Sequence, residues 1–177
     1  NVRMTMGMIG LAFANEGIVL DRLTNEADLT AENGGNSKSD ATGVQIGGIC
    51  GFSTNHASSA NAVAFTACVN RGNLTTKVGR ASGIIAAANR YTHLTDCANY
   101  GTIKSTSTAT SCNNFGGLVA TCNPATFVRC FNDGKFIFGK PDCSNQVGGI
   151  VGNATATTAT SVQPMVMTGC YNLSDFV

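Results

Sequence analysis

Apolar positions along this chain fall into short runs separated by Gly, Asn, Ser and Thr, and the runs recur in two alternating forms. The first is an apolar residue, a Gly-Gly pair and a further apolar run. It reads Ile46-Gly47-Gly48-Ile49-Cys50-Gly51, Ala81-Ser82-Gly83-Ile84-Ile85-Ala86, Phe115-Gly116-Gly117-Leu118-Val119-Ala120 and Val147-Gly148-Gly149-Ile150-Val151-Gly152. The second is Cys-x-Asn-x-Gly-x-apolar. It reads Cys68-Val69-Asn70-Arg71-Gly72-Asn73-Leu74, Cys97-Ala98-Asn99-Tyr100-Gly101-Thr102-Ile103, Cys130-Phe131-Asn132-Asp133-Gly134-Lys135-Phe136 and Cys170-Tyr171-Asn172-Leu173-Ser174-Asp175-Phe176. Worn copies of both, Met6 to Leu11 and Leu23 to Leu29, open the series. The residue three before each Cys is apolar (Phe65, Leu94, Phe127, Met167), as the strand leading into each motif would require. No stretch sustains a 3.6-residue apolar period. The chain reads as all-β and as a repeat protein.

The spacing of the copies selects the architecture. The repeat asparagines, starting from Asn25 of the worn copy, are 45, 29, 33 and 40 residues apart. Helical repeats keep a tighter period, because each helix buries one stripe against its neighbours. Coils of a β-solenoid stack strand on strand and let extra residues leave as loops. The expectation is a right-handed parallel β-helix (β-solenoid) of about five coils, one per copy, forming a single domain over residues 1–177. Asn1 in place of Met suggests a processed chain or part of a longer surface protein.

Coils about 4.8 Å apart place like residues over like. Cys68, Cys97, Cys130 and Cys170 are then expected as an inward core column of small apolar thiols. Leu74, Ile103, Phe136 and Phe176 form a second column. Asn70, Asn99, Asn132 and Asn172 form a structural ladder of side-chain amides. The Gly two places after each Asn is expected at a positive-φ turn position. The Gly-Gly pair is read as a bend that turns the apolar residues on both sides inward. Ala27 and Ser174 replace the turn Gly in the first and last copies. Neither end shows a capping helix, so exposed strand edges are expected there.

Composition narrows the partners. Charged residues make up 12% of the chain and the net charge is +1, so nothing directs it to nucleic acid or an anionic membrane. A hydrophobic fraction of 43% argues against disorder. No run reaches the roughly 18–20 apolar residues of a membrane-spanning helix. Four polar stretches, Thr30 to Thr42, Gly51 to Ala62, Lys104 to Asn114 and Asn153 to Gln163, are expected to leave the coil at two different corners and to carry binding.

Candidate chemistry takes four forms. Enzymes built on β-helices need clustered carboxylates on adjacent coils. The ten acids here are scattered, and Asp96, Asp133 and Asp175 hold different offsets from their Cys. No catalytic residue is expected. His93 and Cys97 lack the Cys-x-x-Cys or paired-His company of a metal site, so His93 reads as a half-buried strand residue and no metal is expected. Each Gly-Gly precedes an apolar strand rather than Lys-Ser/Thr, which leaves no phosphate cradle and no cofactor site. Cysteine pairing stays open between Cys112 with Cys143, Cys112 with Cys122, and free thiols throughout. The repeat-position thiols are expected to remain reduced, since in-register stacking rarely offers disulfide torsions.

The paired signature, best seen in Val147 to Gly152 and Cys170 to Asn172, resembles the GLUG-type repeats of bacterial surface proteins. Such repeats occur in large secreted adhesins and beside immunoglobulin-cleaving peptidase domains, and are frequent in Bacteroides-like bacteria. The resemblance covers Ile46 to Phe176 in good register, with Ala81-Ser82-Gly83 and Cys50 as departures. It implies an extracellular or cell-surface β-helix, structural and adhesin-like, presenting polar loops for weak multivalent binding to a glycan or a host or cell-surface protein. Uncapped ends suggest an alternative, a filament or surface-layer subunit that self-associates. A polysaccharide-active enzyme is the third reading.

Overall fold

The computed structural model describes residues 2–4, 8–9, 12–14, 17–31, 44–53, 62–77, 79–88, 91–107, 113–139, 146–155 and 164–177. Coil one comprises β1 (Val2–Met4), β2 (Met8–Ile9), β3 (Ala12–Ala14), β4 (Val19–Asp21) and β5 (Thr24–Asn25). Coil two comprises β6 (Leu29–Ala31), β7 (Gln45–Gly47), β8 (Cys50–Ser53), β9 (Val63–Thr66) and β10 (Val69–Asn70). Coil three comprises β11 (Leu74–Thr76), β12 (Gly79–Ser82), β13 (Ile85–Ala88), β14 (Thr92–Thr95) and β15 (Ala98–Asn99). Coil four comprises β16 (Ile103–Ser105), β17 (Asn113–Gly116), β18 (Val119–Cys122), β19 (Ala125–Val128) and β20 (Phe131–Asn132). Coil five comprises β21 (Phe136–Phe138), β22 (Gln146–Gly148), β23 (Val151–Ala154), β24 (Val166–Thr168) and β25 (Tyr171–Asn172).

Each strand pairs in parallel with the strand five places on, which produces five sheets of five strands. Among the described residues there is no helix. The architecture is a parallel β-solenoid of five coils. The register stacks the repeat on itself: Asn25, Asn70, Asn99, Asn132 and Asn172 are successive partners. A bridge from Phe136 to Phe176 begins the next turn.

The connections sort into two kinds. Two residues join the second strand to the third (48–49, 83–84, 117–118, 149–150) and the fourth to the fifth (67–68, 96–97, 129–130, 169–170). Three residues lead from each coil into the next (71–73, 100–102, 133–135, 173–175). Lengths vary only between first and second strands, from 77–78 to 32–44, and between third and fourth, from 123–124 to 155–165. A corner inside the stack must hold both flanking strands in register with the coils on either side, which leaves it no freedom of length. A segment that leaves the stack costs little more when it is longer.

The interior is divided into two apolar lobes. One holds Ile49, Phe65, Cys68, Ile84, Leu94, Cys97, Leu118, Phe127 and Cys130. The other holds Ile46, Leu74, Ala81, Ile103, Phe115 and Phe136. The fourth strands of the inner coils alternate: in β14 Thr92 and Leu94 are buried and His93 and Thr95 half-buried, and β19 repeats the pattern with Ala125 and Phe127, whereas β13 is buried at every position. A fully buried Phe or Leu side chain contributes about 1.5–3 kcal/mol relative to exposure. The same columns of such residues therefore stabilise both lobes along the stack.

Both sequence motifs meet at the waist between the lobes. A Cβ on Gly83 would stand 2.4 Å from the Asn99 side chain, and one on Gly48 2.4 Å from that of Asn70. The chain can approach the amide this closely only without a side chain. The residue before the Gly-Gly pair enters one lobe and the residue after it enters the other. Cys97 and Ile103, on the two sides of Asn99, divide in the same way.

The glycine of Asn-x-Gly departs from expectation. Gly72, Gly101 and Gly134 do not have positive φ. Their constraint is closeness: a Cβ on Gly101 would lie 2.0 Å from the Gly72 carbonyl oxygen, and one on Gly134 2.2 Å from that of Gly101. Positive φ falls instead on the residue before the Cys position, at Arg22 (50°), Ala67 (50°), Asp96 (55°), Arg129 (49°) and Gly169 (63°).

Candidate functional site

The asparagines at the waist form a continuous, polar ladder. Asn25 Nδ2 donates to Asn70 Oδ1 at 2.8 Å, Asn70 to Asn99 at 2.8 Å, Asn99 to Asn132 at 2.7 Å and Asn132 to Asn172 at 2.9 Å. Each Nδ2 also donates within its own turn, to Gly72 O at 2.9 Å from Asn70 and to Gly101 O at 3.0 Å from Asn99. From Asn25 to Asn132 each amide thus sends one hydrogen bond to the next coil and one into its own turn. Asn25 is the first rung although its copy lacks both the Cys and the Gly. The buried Ser82 hydroxyl, standing where the other copies have Gly, has no hydrogen-bond partner.

Cysteines line the larger lobe. Cys68, Cys97 and Cys130 are buried free thiols, and Cys170 is half-buried at the last coil. Their Sγ–H groups donate to main-chain carbonyls of the preceding coil, Leu20 O at 3.3 Å, Phe65 O at 3.4 Å and Leu94 O at 3.4 Å. Cys97 lies between two others, and its hydrogen-bonded neighbours Cys130 and Cys68, together with burial, push its thiol well above the usual range. Burial pushes the Cys122 thiol up to about 12. Cys97 and Cys122 are thus held protonated, whereas the hydrogen bond with Cys97 lowers the Cys68 thiol to about 7 and holds that of Cys130 below its ordinary value, both inside the core and away from any substrate. Cys122 is a buried free thiol, while Cys112 and Cys143 lie outside the described residues.

The other sequence candidates are not brought together. Cys97 faces the core and His93 is half-buried on the opposite face of the chain. Among the described residues no three His, Cys, Asp or Glu side chains are grouped to hold a metal ion. Asp21, Glu26, Asp28, Asp96, Asp133 and Asp175 are all exposed. Asp96 is held below the usual carboxylate range by Arg129, whose Nε and an Nη hydrogen bond it in a fork, both at 2.7 Å. Of the four polar stretches, most of Thr30 to Thr42, Gly51 to Ala62 and Asn153 to Gln163, and 108–112 of the fourth, lie outside the described residues. The flanking strands place them at the first-to-second and third-to-fourth corners.

Two outer features group aromatic and polar side chains from successive coils. Along the fifth sheet, Arg71 sits over the Tyr100 ring at 4.7 Å. Tyr100 meets Phe131 edge-on at 5.2 Å, and Phe131 stacks on Tyr171 at 5.1 Å. At the third-to-fourth corner, a cleft of about 250 Å³ is lined by Tyr91, His93, Pro124, Thr126, Pro164 and Val166, among others. Sequence reasoning missed this cleft. Its residues belong to no motif and are adjacent only because coils three, four and five stack. The signal available was that Tyr91, Pro124 and Pro164 hold nearly the same place, just ahead of a fourth strand.

No family model, no curated protein and no solved structure matches this chain.

Proposed function

We propose that the protein is a cell-surface or extracellular adhesin-like scaffold, non-enzymatic, that presents its variable corners for weak multivalent binding to glycans or proteins. One observation carries this reading. The coil is invariant in length wherever the two motifs sit and varies only at two corners, which is how a scaffold separates shape from recognition. The described carboxylates are exposed and spread over several corners, and the described thiols are buried or, at Cys170, half-buried, which supports a binding role over a catalytic one. The GLUG-type resemblance of the motifs supports a bacterial surface origin. The test is a glycan array combined with a panel of host-matrix proteins. Binding at millimolar to micromolar strength that rises with multivalent display is expected. Blank panels together with turnover of a polysaccharide would overturn it.

Self-association through the last coil is a second reading, favoured by a specific surface. Tyr171, Leu173 and Phe176 are 52%, 63% and 53% exposed, and Asp175 is the one charged residue between Pro164 and Val177. Strand edges of soluble proteins are usually guarded by Lys, Pro or a bulge. Concentration-dependent sedimentation that Leu173→Lys abolishes supports assembly. A monomer at all concentrations excludes it.

A further inference from the structure

We propose that the cleft at the third-to-fourth corner binds a single neutral saccharide unit, with Tyr91, His93 and Thr126 as its polar contacts. This rests on the adhesin-like reading and gives it a ligand class and a location.

His93, Thr126 and Val166 are register partners on coils three, four and five, so they form one outward column along the solenoid axis. Tyr91, Pro124 and Pro164 flank that column at the strand starts and close the cleft on its other side. No charged side chain lines it. Phosphate, carboxylate and sulfate ligands thus find no counter-charge.

The polar groups that are present both donate and accept: a phenol, a threonine hydroxyl and an imidazole. None of the three side chains hydrogen bonds to another described residue. Each can exchange hydrogen bonds with the hydroxyl groups of a sugar. Two proline rings, the Tyr91 ring and Val166 offer apolar walls for the C–H faces of a sugar ring. The volume of about 250 Å³ lies just below the roughly 300–1,000 Å³ of drug-sized ligand sites, which suits one small ring rather than a peptide segment.

Tyr91 departs from the logic of the repeat. It adopts φ 59°, and the other non-glycine residues with positive φ among the described residues all occupy the corner before the Cys position. There the fold requires that conformation in every coil, whereas at Tyr91 it does not. Such backbone strain concentrates at binding sites. The backbone beneath the ring is anchored by the Val63 N–H, which donates to the Tyr91 carbonyl at 3.1 Å. The cleft also lies at the corner where the connections 54–62 and 155–165 leave the coils.

The test titrates the whole chain with a panel of neutral hexoses, deoxyhexoses and N-acetylhexosamines, followed by NMR shifts, with acidic sugars and the matrix-protein panel run in parallel. Variants are Tyr91→Asn, which keeps a residue tolerant of positive φ, His93→Ala and the near-isosteric Thr126→Val. Arg71→Ala on the fifth sheet is the control. Saturable binding of at least one neutral sugar is expected. It should weaken at least about tenfold in Tyr91→Asn and His93→Ala and severalfold in Thr126→Val, with melting and the Arg71→Ala affinity unchanged. Variants that bind as the parent does overturn the site and leave the adhesive reading standing. Binding confined to acidic sugars or to matrix proteins does the same. A parent chain blank on every sugar and every protein overturns both.

Discussion

Coil three and coil five carry the same two motifs, yet their residues occupy different environments. In coil three Asn99 accepts from Asn70, donates to Asn132 and to Gly101, and is buried with Leu94, Cys97 and Ile103. In coil five Asn172 accepts from Asn132 at 2.9 Å and from the Ser174 hydroxyl at 2.7 Å, and it is exposed, as are Tyr171, Leu173 and Phe176. The difference is that Asn99 is paired with a coil on each side and Asn172 with coil four alone. A repeat in a stack draws its stability from two interfaces, so a motif with one interface is half used. Coil one is not the mirror of coil five: Asn25 is 1% exposed although it begins the ladder.

The waist provides the largest test. Gly117→Ala would put a Cβ 1.9 Å from the Gly149 carbonyl oxygen and 2.4 Å from the Asn132 side chain, so adjacent coils must separate. A loss of about 3 kcal/mol or more is expected in denaturant melts. The atoms nearest a Cβ on Gly149 all belong to the exposed Asn172 side chain, the closest at 2.2 Å, and that side chain can swing into solvent. The cost of Gly149→Ala should stay near 1 kcal/mol. Equal costs would mean that the last coil is covered in solution.

The ladder gives the next. Asn99→Ala strands the Asn70 amide donor, the Asn132 oxygen and the Gly101 carbonyl in the interior, and should cost about 3 kcal/mol. Asn172→Ala should cost about 0.5–1 kcal/mol, because water replaces what is lost. Chemical melts of the two variants, measured side by side, check the ratio.

The corner before the Cys position offers a reciprocal pair. Ala67 carries φ 50° and Gly169 carries φ 63° at equivalent places. Ala67→Gly should stabilise by about 0.5–1 kcal/mol, and Gly169→Ala should destabilise by about the same amount. A Cβ on Gly169 meets nothing closer than 3.6 Å, so its cost is backbone strain alone. Here interior and end should behave alike, because the strain is local to the residue.

The smallest effect is expected at the exposed Asp96–Arg129 pair. Arg129 holds the Asp96 carboxyl below its ordinary range, so the folded state binds that proton less well than the unfolded chain. Its contribution is present above the unfolded value near pH 4 and is lost as pH falls through the lower, folded one. The difference between the parent and Asp96→Asn should therefore be slight at pH 7 and vanish near pH 2. A difference that grows on acidification would contradict the pairing.

Much of the fold was legible because the repeat is written twice, in two motifs with fixed internal spacing. Parallel coils, the inward Cys column and the stacked amides all follow from placing like residues over like. The glycine after Asn was misread. Gly72, Gly101 and Gly134 look like turn glycines, and only stacking shows that they are excluded from having a Cβ by the carbonyl of the coil before. The positive-φ position went unseen because Arg, Ala, Asp, Arg and Gly share no chemistry there. The cleft was illegible for a related reason: Tyr91, His93, Thr126 and Pro164 are each ordinary in the linear chain.

The sequence by itself determined the period, the all-β class and which residues stack, because a solenoid copies its repeat directly into space. Only the tertiary structure decided that the interior splits into two lobes, that each Gly-Gly pair opens room for an Asn, and that Asn25 is buried whereas Asn172 is exposed. Those depend on segments packing across the coil at separations set by corners of variable length, and no local pattern in the chain encodes that distance.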